Sequence, residues 1–229
     1  LKSLGYSTEE MLAVGVVKEK DGRVYDPIAN RLVFPIIDIY GNVIAFGGRT
    51  LEAHPNFAKY LNTAETELFN KRNTLYAINY LKKQRQLGPI PFVIVVEGYM
   101  DTISLHKAGF TMAVASMGTA LTQSQAKMIK RFADKVYICY DGDSAGQNAT
   151  LRGLDILKEN GQTVGEIAVT DENGVLEIKN LAVVPEARRR GCGRALIEFI
   201  EKRYADRFEM LQVGTGDSPL TVPFYRRMG

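Results

Sequence analysis

The feature that most constrains the fold is a repeated alternation of apolar runs and amphipathic segments that begins near residue 90. Each apolar run is short and continuous, as in IPFVIVVEG and KVYICYDGD, and is followed by a segment with helical spacing. Strands that are apolar on both sides are typical of parallel sheets covered by helices on both faces. Residues 89–161 are therefore predicted to form an α/β fold, whose ligands bind beyond the carboxyl ends of the strands.

Different patterns lie on either side of this α/β region. Residues 1–88 combine a helix capped by Ser7 or Thr8, a hairpin with its turn at residues 40–42 and a second helix, which predicts a small α+β subdomain. Residues 162–229 contain two strands around an Asn-Gly turn, a glycine-opened helix and a further strand, which predicts another α/β module. We therefore expect domain boundaries near residues 88 and 161.

Composition and charge argue against several classes of protein. The 229 residues carry 29 Lys and Arg against 26 Asp and Glu, and this net charge of +3 allows a nucleic-acid partner without requiring one. No run is long and apolar enough for a membrane helix and no signal peptide is recognisable, so we expect a cytoplasmic protein with no membrane partner. The two cysteines lie far apart and neither histidine is near a cysteine, which argues against disulfides and zinc.

Carboxylates follow two strands of the predicted sheet at the point where each strand ends. Glu97 comes directly after the run VIVV, and Asp101 lies one helical turn further on. Asp141 and Asp143 follow VYICY at a spacing that points both side chains to one side of an extended chain. Oxygen ligands without His or Cys suit Mg²⁺ or Mn²⁺. The alternative is that these residues are solvated turn formers and helix caps, which is common for each motif taken alone.

Several segments resemble the Toprim domain of bacterial DNA primases of the DnaG family and the stretch that precedes it. These segments are RLVFPIIDIYGNVIAFGGRT, KYLNTAET, LFNKRNTLYAI, EGYMDTISLHKAG, AVASMGTALT and YDGDSAGQNATLRGLDIL. The resemblance extends from about residue 1 to 161 and implies a Toprim-type parallel sheet preceded by a partial α+β subdomain. It also implies a nucleotidyltransferase that synthesises RNA primers from NTPs on a single-stranded DNA template in replication.

This resemblance implies roles for particular residues. Glu97, Asp141 and Asp143 would be catalytic and would hold Mg²⁺ or Mn²⁺, with Asp101 assisting as a metal ligand. Basic and polar residues would lie near the template and the triphosphate. They are Arg31, Arg49, Lys59, Asn62 and Lys71. Taken singly, each lysine is equally well explained as part of a solvated face. Gly118 is interpreted as a strand-to-helix turn in preference to a close approach to a ligand.

The chain departs from the family pattern in three places. Pro27 and Ala29 stand where the family usually has arginines, so one basic contact is expected to be lost. A third acidic motif of the DPDE kind does not follow the helix that contains LDIL. No Cys/His zinc module precedes the core and no helicase-binding domain follows it, so a replicative helicase would be a partner only through a domain absent here. We therefore expect a fragment of a primase core with a partial metal site.

A different family is indicated by the segment LEIKNLAVVPEARRRGCGRALIEFI, which resembles the GNAT N-acetyltransferases. The resemblance covers residues 162–229 and centres on an R-x-x-G-x-G pattern, in which backbone N–H groups at a helix N-terminus would bind the pyrophosphate of acetyl-CoA. It implies that the backbone from Leu181 to Val183 pairs with pantetheine and that Tyr225 is the general acid. The phosphate-binding residues would be Arg188, Arg189, Arg190, Gly191, Cys192 and Gly193. Tyr225 is equally well explained as a half-buried aromatic.

Three functions remain open from the sequence. The first is a primase-type nucleotidyltransferase, and the second is an acyltransferase carried by a partial GNAT module. The third is a chimera that binds nucleic acid and metal but turns over nothing. A gene fusion, a designed chimera and an assembly artefact would each explain the junction near residue 161.

Overall fold

The computed structural model describes residues 1–51, 58–118, 120–140, 144–172, 175–183, 192–204, 208, 210–213 and 222–228. The strands are β1 (Lys18–Lys20), β2 (Arg23–Tyr25), β3 (Arg31–Ile37), β4 (Val43–Thr50), β5 (Tyr60–Asn62), β6 (Val93–Val96), β7 (Ala113–Ala115), β8 (Lys135–Cys139), β9 (Thr163–Glu172), β10 (Val175–Val183) and β11 (Leu211–Val213). The helices are α1 (Thr8–Ala13), α2 (Ile78–Leu87), α3 (Tyr99–Lys107), α4 (Gln123–Lys130), α5 (Ser144–Glu159), α6 (Cys192–Tyr204) and α7 (Val222–Tyr225). Short 3-10 turns cover Lys2–Leu4 and Lys71–Asn73.

The N-terminal part has the predicted α+β composition. Ser7 is the N-cap of α1, because its Oγ accepts the N–H of Glu10 at 3.1 Å while the Glu10 carboxylate accepts the N–H of Ser7 at 2.7 Å. Strands β3, β4 and β5 form an antiparallel sheet, and β1 pairs with β2 in a separate ribbon. The turn between β3 and β4 is held by Asp38, whose carboxylate accepts the N–H groups of Tyr40 and Asn42.

The predicted parallel sheet is confirmed over β6, β7 and β8, which belong to a mixed six-stranded sheet with the order β11-β10-β9-β8-β6-β7. Strand β6 pairs in parallel with both β7 and β8. Its side chains alternate between two cores: Val93 and Val95 pack with residues of α2, α4 and α5, whereas Ile94 and Val96 pack with residues of α3 and α6. Burial on both faces explains why this strand is apolar throughout.

The sheet continues without interruption past residue 161. Strand β9 pairs in parallel with β8, β10 returns antiparallel to β9, and β11 lies parallel to β10. Helix α6 places Leu196, Ile197 and Ile200 in the same core as Ile94 and Tyr137. The boundary near residue 161 stays a prediction, and the residues on its two sides share one sheet and one core.

The run TLYAINYLKKQRQ has helical spacing and predicts a helix from Thr74, whereas α2 begins at Ile78. Tyr76 forms a bridge with Ala115 beside β7, and Ala77 has a left-handed backbone with a φ of 67°. The chain therefore pairs with the sheet before it turns into the helix at Ile78. Across the ranges described above, no helix has the length and apolar character needed to cross a membrane.

Candidate active site at the carboxyl edge of the sheet

Two of the four predicted acidic ligands lie within the described ranges, at the carboxyl end of β6. Glu97 follows the strand directly, and Asp101 lies in the first turn of α3, where its Oδ2 accepts the N–H of Gly98 at 3.2 Å. Asp101 therefore caps its helix, which is the role that the alternative interpretation gives to such residues. Asp141 and Asp143 lie outside the described residues. Among the described residues, no three His, Cys, Asp or Glu side chains converge as a metal site would require.

The strand register brings the residue before the second acidic motif to the same edge as Glu97. Val96 of β6 pairs with Cys139 of β8, so Glu97 and Tyr140 follow neighbouring strands at the same level. The negative charge of Glu97 contributes to raising the pKa of the Tyr140 phenol. Asp141 is the next residue in the sequence. The convergence of Asp141 and Asp143 with Glu97 stays a prediction.

Tyr140 is a buried part of this edge that the sequence analysis missed. Its hydroxyl lies 3.2 Å from Ser116 Oγ and accepts a hydrogen bond from the N–H of Leu121. Burial raises the pKa of Tyr140 to about 12, and the charge of Glu97 raises this pKa as well, while the hydrogen bonds from Ser116 and Leu121 act in the opposite direction. The phenol is neutral at physiological pH and connects the ends of β7 and β8.

The turn after β7 is bound to the end of β6. The N–H groups of Met117 and Gly118 donate to the backbone oxygen of Glu97 at 2.9 and 3.3 Å. Both residues have left-handed φ values, 61° for Met117 and 81° for Gly118. Gly118 forms the predicted strand-to-helix turn, and this turn fixes the backbone from which the Glu97 side chain projects.

A basic and aromatic rim runs along β4 and β5 toward α3. The guanidinium of Arg49 and the ammonium of Lys59 each lie 5.7 Å from the centre of the Tyr60 ring, and this ring is 43% exposed. The Tyr60 ring also contacts the ring of Tyr99, the first residue of α3, at a centroid distance of 5.7 Å. The rim is thereby attached to the helix that carries Asp101. Lys59 is exposed and Arg49 is partly exposed.

Arg31 has different contacts from the other predicted basic residues. Its Nη1 donates to the backbone oxygens of Ala58 at 2.9 Å and Lys59 at 3.5 Å. Its aliphatic part lies over Gly48, where a β-carbon would come within 3.0 Å of Arg31 Cδ. The guanidinium therefore holds the chain that leads into β5.

Asn62 carries an unsatisfied buried acceptor within the predicted nucleotide site. Its Oδ1 is inaccessible to solvent and has no hydrogen-bond partner among the described residues. A β-carbon at Gly47 would lie 3.1 Å from this oxygen and 2.8 Å from Cε1 of Tyr99, so the glycine leaves space for both side chains. An unsatisfied buried acceptor costs about 1–3 kcal/mol, which makes this oxygen a candidate to receive a hydrogen bond from a ligand.

Lys71 lies in the 3-10 turn before α2 and is partly exposed. The turn is capped by Asn70, whose Oδ1 accepts the N–H of Arg72 at 2.9 Å. Its backbone oxygens are bound by side chains of α4, so the turn belongs to the interface between the N-terminal subdomain and the parallel sheet.

Some of the residues to which the GNAT resemblance assigns roles lie within the described part of the C-terminal segment. Strands β10 and β11 pair in parallel only at Leu176–Ile178, and β10 has a bulge between Ile178 and Asn180 before it continues through Leu181 to Val183. Gly193 lies against the Phe224 ring, where a β-carbon would come within 3.0 Å. Burial raises the pKa of the neighbouring Tyr225.

The remaining predicted cofactor residues give less information. Cys192 is the first residue of α6. The predicted phosphate-binding residues Arg188, Arg189, Arg190 and Gly191 lie outside the described residues. Their roles stay predictions.

Family models match three consecutive parts of the chain. Residues 1–82 match the N-terminal domain of the DNA primase catalytic core, residues 94–174 match a Toprim-like domain, and residues 153–229 match the GNAT acetyltransferase domain. The second and third matches overlap over the end of α5 and β9. The predicted resemblances to both families are therefore confirmed.

Known proteins support the primase match over most of the chain. The DNA primase of Clostridium acetobutylicum is 48% identical over 171 residues, which cover 75% of this chain and 28% of that protein. The DNA primase of Halalkalibacterium halodurans is 41% identical over 215 residues, which cover 93% of this chain and 32% of that protein. A solved structure described as the DnaG primase catalytic domain bound to ssDNA has a TM-score of 0.68 and 31% identity, over 88% of this chain and 61% of that chain.

These matches define the family and the extent of the similarity. The chain spans about three tenths of the length of the two primases, and its similarity to them extends well beyond the motifs at the strand ends. Its parallel sheet, its small α+β subdomain and its order of motifs agree with the primase catalytic core. The chain therefore belongs to the DNA primase family through its catalytic core, and its C-terminal part also matches the GNAT acetyltransferases.

Proposed function

We propose that this chain is the catalytic-core portion of a bacterial DNA primase, which acts in the cytoplasm and synthesises RNA primers from NTPs on single-stranded DNA. The observation that supports this proposal is the register of β6 and β8, which brings Glu97 and Tyr140, the residue before Asp141 in the sequence, to one edge of the sheet. The basic and aromatic rim of Arg49, Lys59 and Tyr60 approaches the same edge through Tyr99.

The residues at this edge suit Mg²⁺ or Mn²⁺. The donors are carboxylate oxygens, and His106 is engaged elsewhere because its Nε2 lies 2.9 Å from the backbone oxygen of Ala113. A bound divalent ion would supply activation of the attacking 3′-hydroxyl and neutralisation of the triphosphate charge. Glu97, Asp141 and Asp143 would hold it, with Asp101 assisting.

The other residues of the site would bind and orient the substrates. Arg49, Lys59 and Lys71 would contact phosphate groups of the template and the incoming NTP, because point charges next to phosphates provide affinity and position. The exposed Tyr60 ring is available for stacking against a base. Asn62 Oδ1 would accept a hydrogen bond from a ribose hydroxyl, which would satisfy its buried oxygen.

Primer synthesis from labelled NTPs on single-stranded DNA tests this function. We expect labelled RNA products with Mg²⁺ or Mn²⁺, and a loss of at least a hundredfold in Asp141→Ala because one carboxylate of the metal site is removed. Glu159→Gln, on the far end of α5, is the matched control and should leave synthesis unchanged. A wild-type chain that forms no RNA product but still binds DNA and Mn²⁺ would support the non-catalytic alternative.

A second candidate function is the binding of acetyl-CoA by the C-terminal segment. Two observations favour it: β10 has a bulge at Ile178–Asn180, and its described pairing with β11 is short. The backbone of Leu181 to Val183 therefore lies beyond the described ladder with β11. The pantetheine arm would pair with that backbone, and the phosphates would bind at residues 188–193. Tyr225 would protonate the departing thiolate, since its raised pKa keeps the phenol protonated.

Thermal unfolding with and without acetyl-CoA tests this second function. We expect an increase in Tm with acetyl-CoA, because a ligand that binds only the folded state stabilises it. Gly191→Glu should abolish this increase by placing a carboxylate at the phosphate position. An equal increase in the wild type and in Gly191→Glu would contradict binding at this position.

A further inference from the structure

The turn that carries Lys71 is bound by the N-terminal turn of α4, which belongs to the parallel sheet region. The residue responsible is Gln125, whose side chain is fully buried. Its Nε2 donates to the backbone oxygens of Lys71 at 2.9 Å and Thr74 at 2.8 Å. Its Oε1 accepts the N–H of Thr122 at 3.0 Å. Both amide hydrogens and the amide oxygen therefore have partners, as a buried polar group requires.

Thr122 adds a further bond to the same turn. Its Oγ1 donates to the backbone oxygen of Arg72 at 2.6 Å and accepts the N–H of Gln125 at 3.2 Å. Two side chains of α4 thus hold three carbonyl groups within four residues of the N-terminal subdomain. We call this set of contacts, from Thr122 and Gln125 to residues 71–74, the carbonyl clamp.

The carbonyl clamp binds backbone and leaves the Lys71 side chain available. The same segment of α4 is connected to the carboxylate edge, because the N–H of the preceding residue, Leu121, donates to the Tyr140 hydroxyl. Tyr140 lies beside Glu97 and directly precedes Asp141. The carbonyl clamp therefore links the Lys71 turn to residues near the end of β8.

Helix capping alone does not explain Gln125. The reciprocal cap with Thr122 uses only the Gln125 side-chain oxygen, and a glutamate would supply the same acceptor. The two bonds to carbonyl oxygens require the N–H groups of an amide, which glutamate lacks. The amide at this position is explained by the Lys71 turn.

We propose that Gln125 and Thr122 are positioning residues for Lys71. They hold Lys71 at a distance from the carboxylate edge that lets its ammonium bind the triphosphate of the incoming NTP. This inference rests on the proposed primase function and adds to it the residues that fix one of its phosphate contacts. A lysine is a point charge on a flexible stem, so the placement of its backbone determines which phosphate it reaches.

The test is a double-mutant cycle between Gln125 and Lys71, measured as the affinity of the full chain for a non-hydrolysable NTP with Mg²⁺ by calorimetry. Gln125→Glu keeps the cap acceptor and removes both donors to the turn. We expect Gln125→Glu and Lys71→Met each to weaken NTP binding by about tenfold, since misplacing a contact and removing it have similar effects. The double variant should lose no more than Lys71→Met alone, because a misplaced ammonium has no further effect once it is absent.

Two controls separate positioning from a general loss of structure. Gln123→Leu, on the same turn of α4, removes an amide whose partners are Glu159 and Asn160, and it should leave NTP affinity unchanged. Thr122→Ser keeps the hydroxyl and should retain affinity, whereas Thr122→Val should lose it. Mn²⁺ binding, measured by electron paramagnetic resonance, should be the same in Gln125→Glu as in the wild type.

The outcomes distinguish this inference from the proposed function. Wild-type binding of NTP with additive losses in the double variant would overturn the positioning role and leave the primase function intact. Loss of Mn²⁺ binding in Gln125→Glu would also overturn it, because the effect would then be on the acidic edge itself. Absence of NTP binding in the wild type would refute the proposed function and the inference together.

Discussion

The parallel sheet region is joined to its two neighbours in different ways. Toward the N-terminal subdomain the contacts include side-chain hydrogen bonds to backbone oxygens, such as those of Gln125 and the 3.3 Å bond from the Tyr99 hydroxyl to Gly48. Toward the C-terminal segment they are a backbone ladder between β8 and β9 and an apolar core that includes Ile200. Hydrogen bonds are directional and apolar burial is not. The first interface is therefore suited to fixing the geometry of a site, and the second to supplying stability.

The largest expected effect comes from the apolar interface. Ile200→Ala removes a fully buried side chain of α6 and should lower the free energy of unfolding by about 2–5 kcal/mol. Because the core is shared, amide hydrogens of β6 should lose protection in the same variant. Urea unfolding followed by tyrosine fluorescence, combined with hydrogen exchange, measures both.

The matched control for this prediction is Leu151→Ala. Leu151 is 60% exposed on α5, and its truncation should change stability by no more than about 0.5 kcal/mol. Unchanged protection of β6 in Ile200→Ala would contradict a shared core and would show that the C-terminal segment unfolds independently.

The next effect concerns the polar interface. Gly47→Ala places a β-carbon 2.8 Å from Cε1 of Tyr99 and 3.1 Å from Oδ1 of Asn62, so the Tyr99 ring must move. We expect a loss of about 1–3 kcal/mol in the free energy of unfolding and weaker binding of single-stranded DNA, because Tyr60 and the rim contact Tyr99.

Gly88→Ala is the control for that substitution. A β-carbon at Gly88 meets no atom within 4 Å, and its φ of 160° is extended backbone. DNA affinity measured by fluorescence anisotropy should be unchanged in Gly88→Ala. Equal DNA affinity in Gly47→Ala and the wild type would separate the rim from Tyr99.

Two buried phenols, those of Tyr99 and Tyr140, make the stability of the protein depend on pH. Burial is the main cause that raises the pKa of Tyr99 and of Tyr140 to about 12, compared with about 10 in an unfolded chain. Between pH 10 and 12 the unfolded state loses these protons while the folded state keeps them. Stability is therefore fully retained below pH 10 and falls as the pH rises toward 12.

Urea midpoints at pH 9 and pH 11 measure this fall. Tyr99→Phe and Tyr140→Phe should each make it smaller, since the phenol that titrates is removed. Tyr40→Phe, whose ring is 81% exposed, is the matched control. A fall of the same size in all three variants would assign the pH dependence to other groups.

The smallest expected effect is local and lies at the start of β9. Lys130 Nζ is 2.7 Å from the backbone oxygen of Gly161 and 2.7 Å from Asp134 Oδ1. Lys130→Met should increase hydrogen exchange at residues 161–163 several-fold without a measurable change in the urea midpoint, because exposed ion pairs contribute little. Asp134→Asn keeps the bond to Gly161, so faster exchange in that variant would contradict the assignment.

Much of the fold was predictable because burial leaves a local pattern in the sequence. The continuous apolar run of β6 reports a strand covered on both faces, and the Asn-Gly pair between β9 and β10 reports a hairpin. The late start of α2 left no such pattern, since it depends on the bridge between Tyr76 and Ala115. The continuation of the sheet from β8 to β9 is likewise a contact between distant residues.

The residues of the candidate site also differ in whether the sequence alone could identify them. Acidic residues at strand ends, such as Glu97, are predicted as site residues from their position, and Lys59 from the family resemblance; both roles stay predictions. Gln125 and Tyr140 were missed because a buried amide and a buried phenol look like ordinary helix and core residues until their partners are known. The family resemblance assigns Arg31 to nucleotide or DNA binding, whereas its described contacts are with the backbone at Ala58 and Lys59.

Strand β8 has a consequence for how such chains evolve. It pairs with β6 on one side and β9 on the other, and the ladder with β9 is made by backbone groups that every residue except proline provides. A coding sequence recombined after α5 can therefore supply a strand of unrelated ancestry that docks on β8. Selection then needs to adjust only the apolar residues of the new segment. Exchange at this point leaves Glu97, Asp141 and the carbonyl clamp in the chain, but it replaces the segment in which the primase resemblance places a third acidic motif, so a partial metal site is expected.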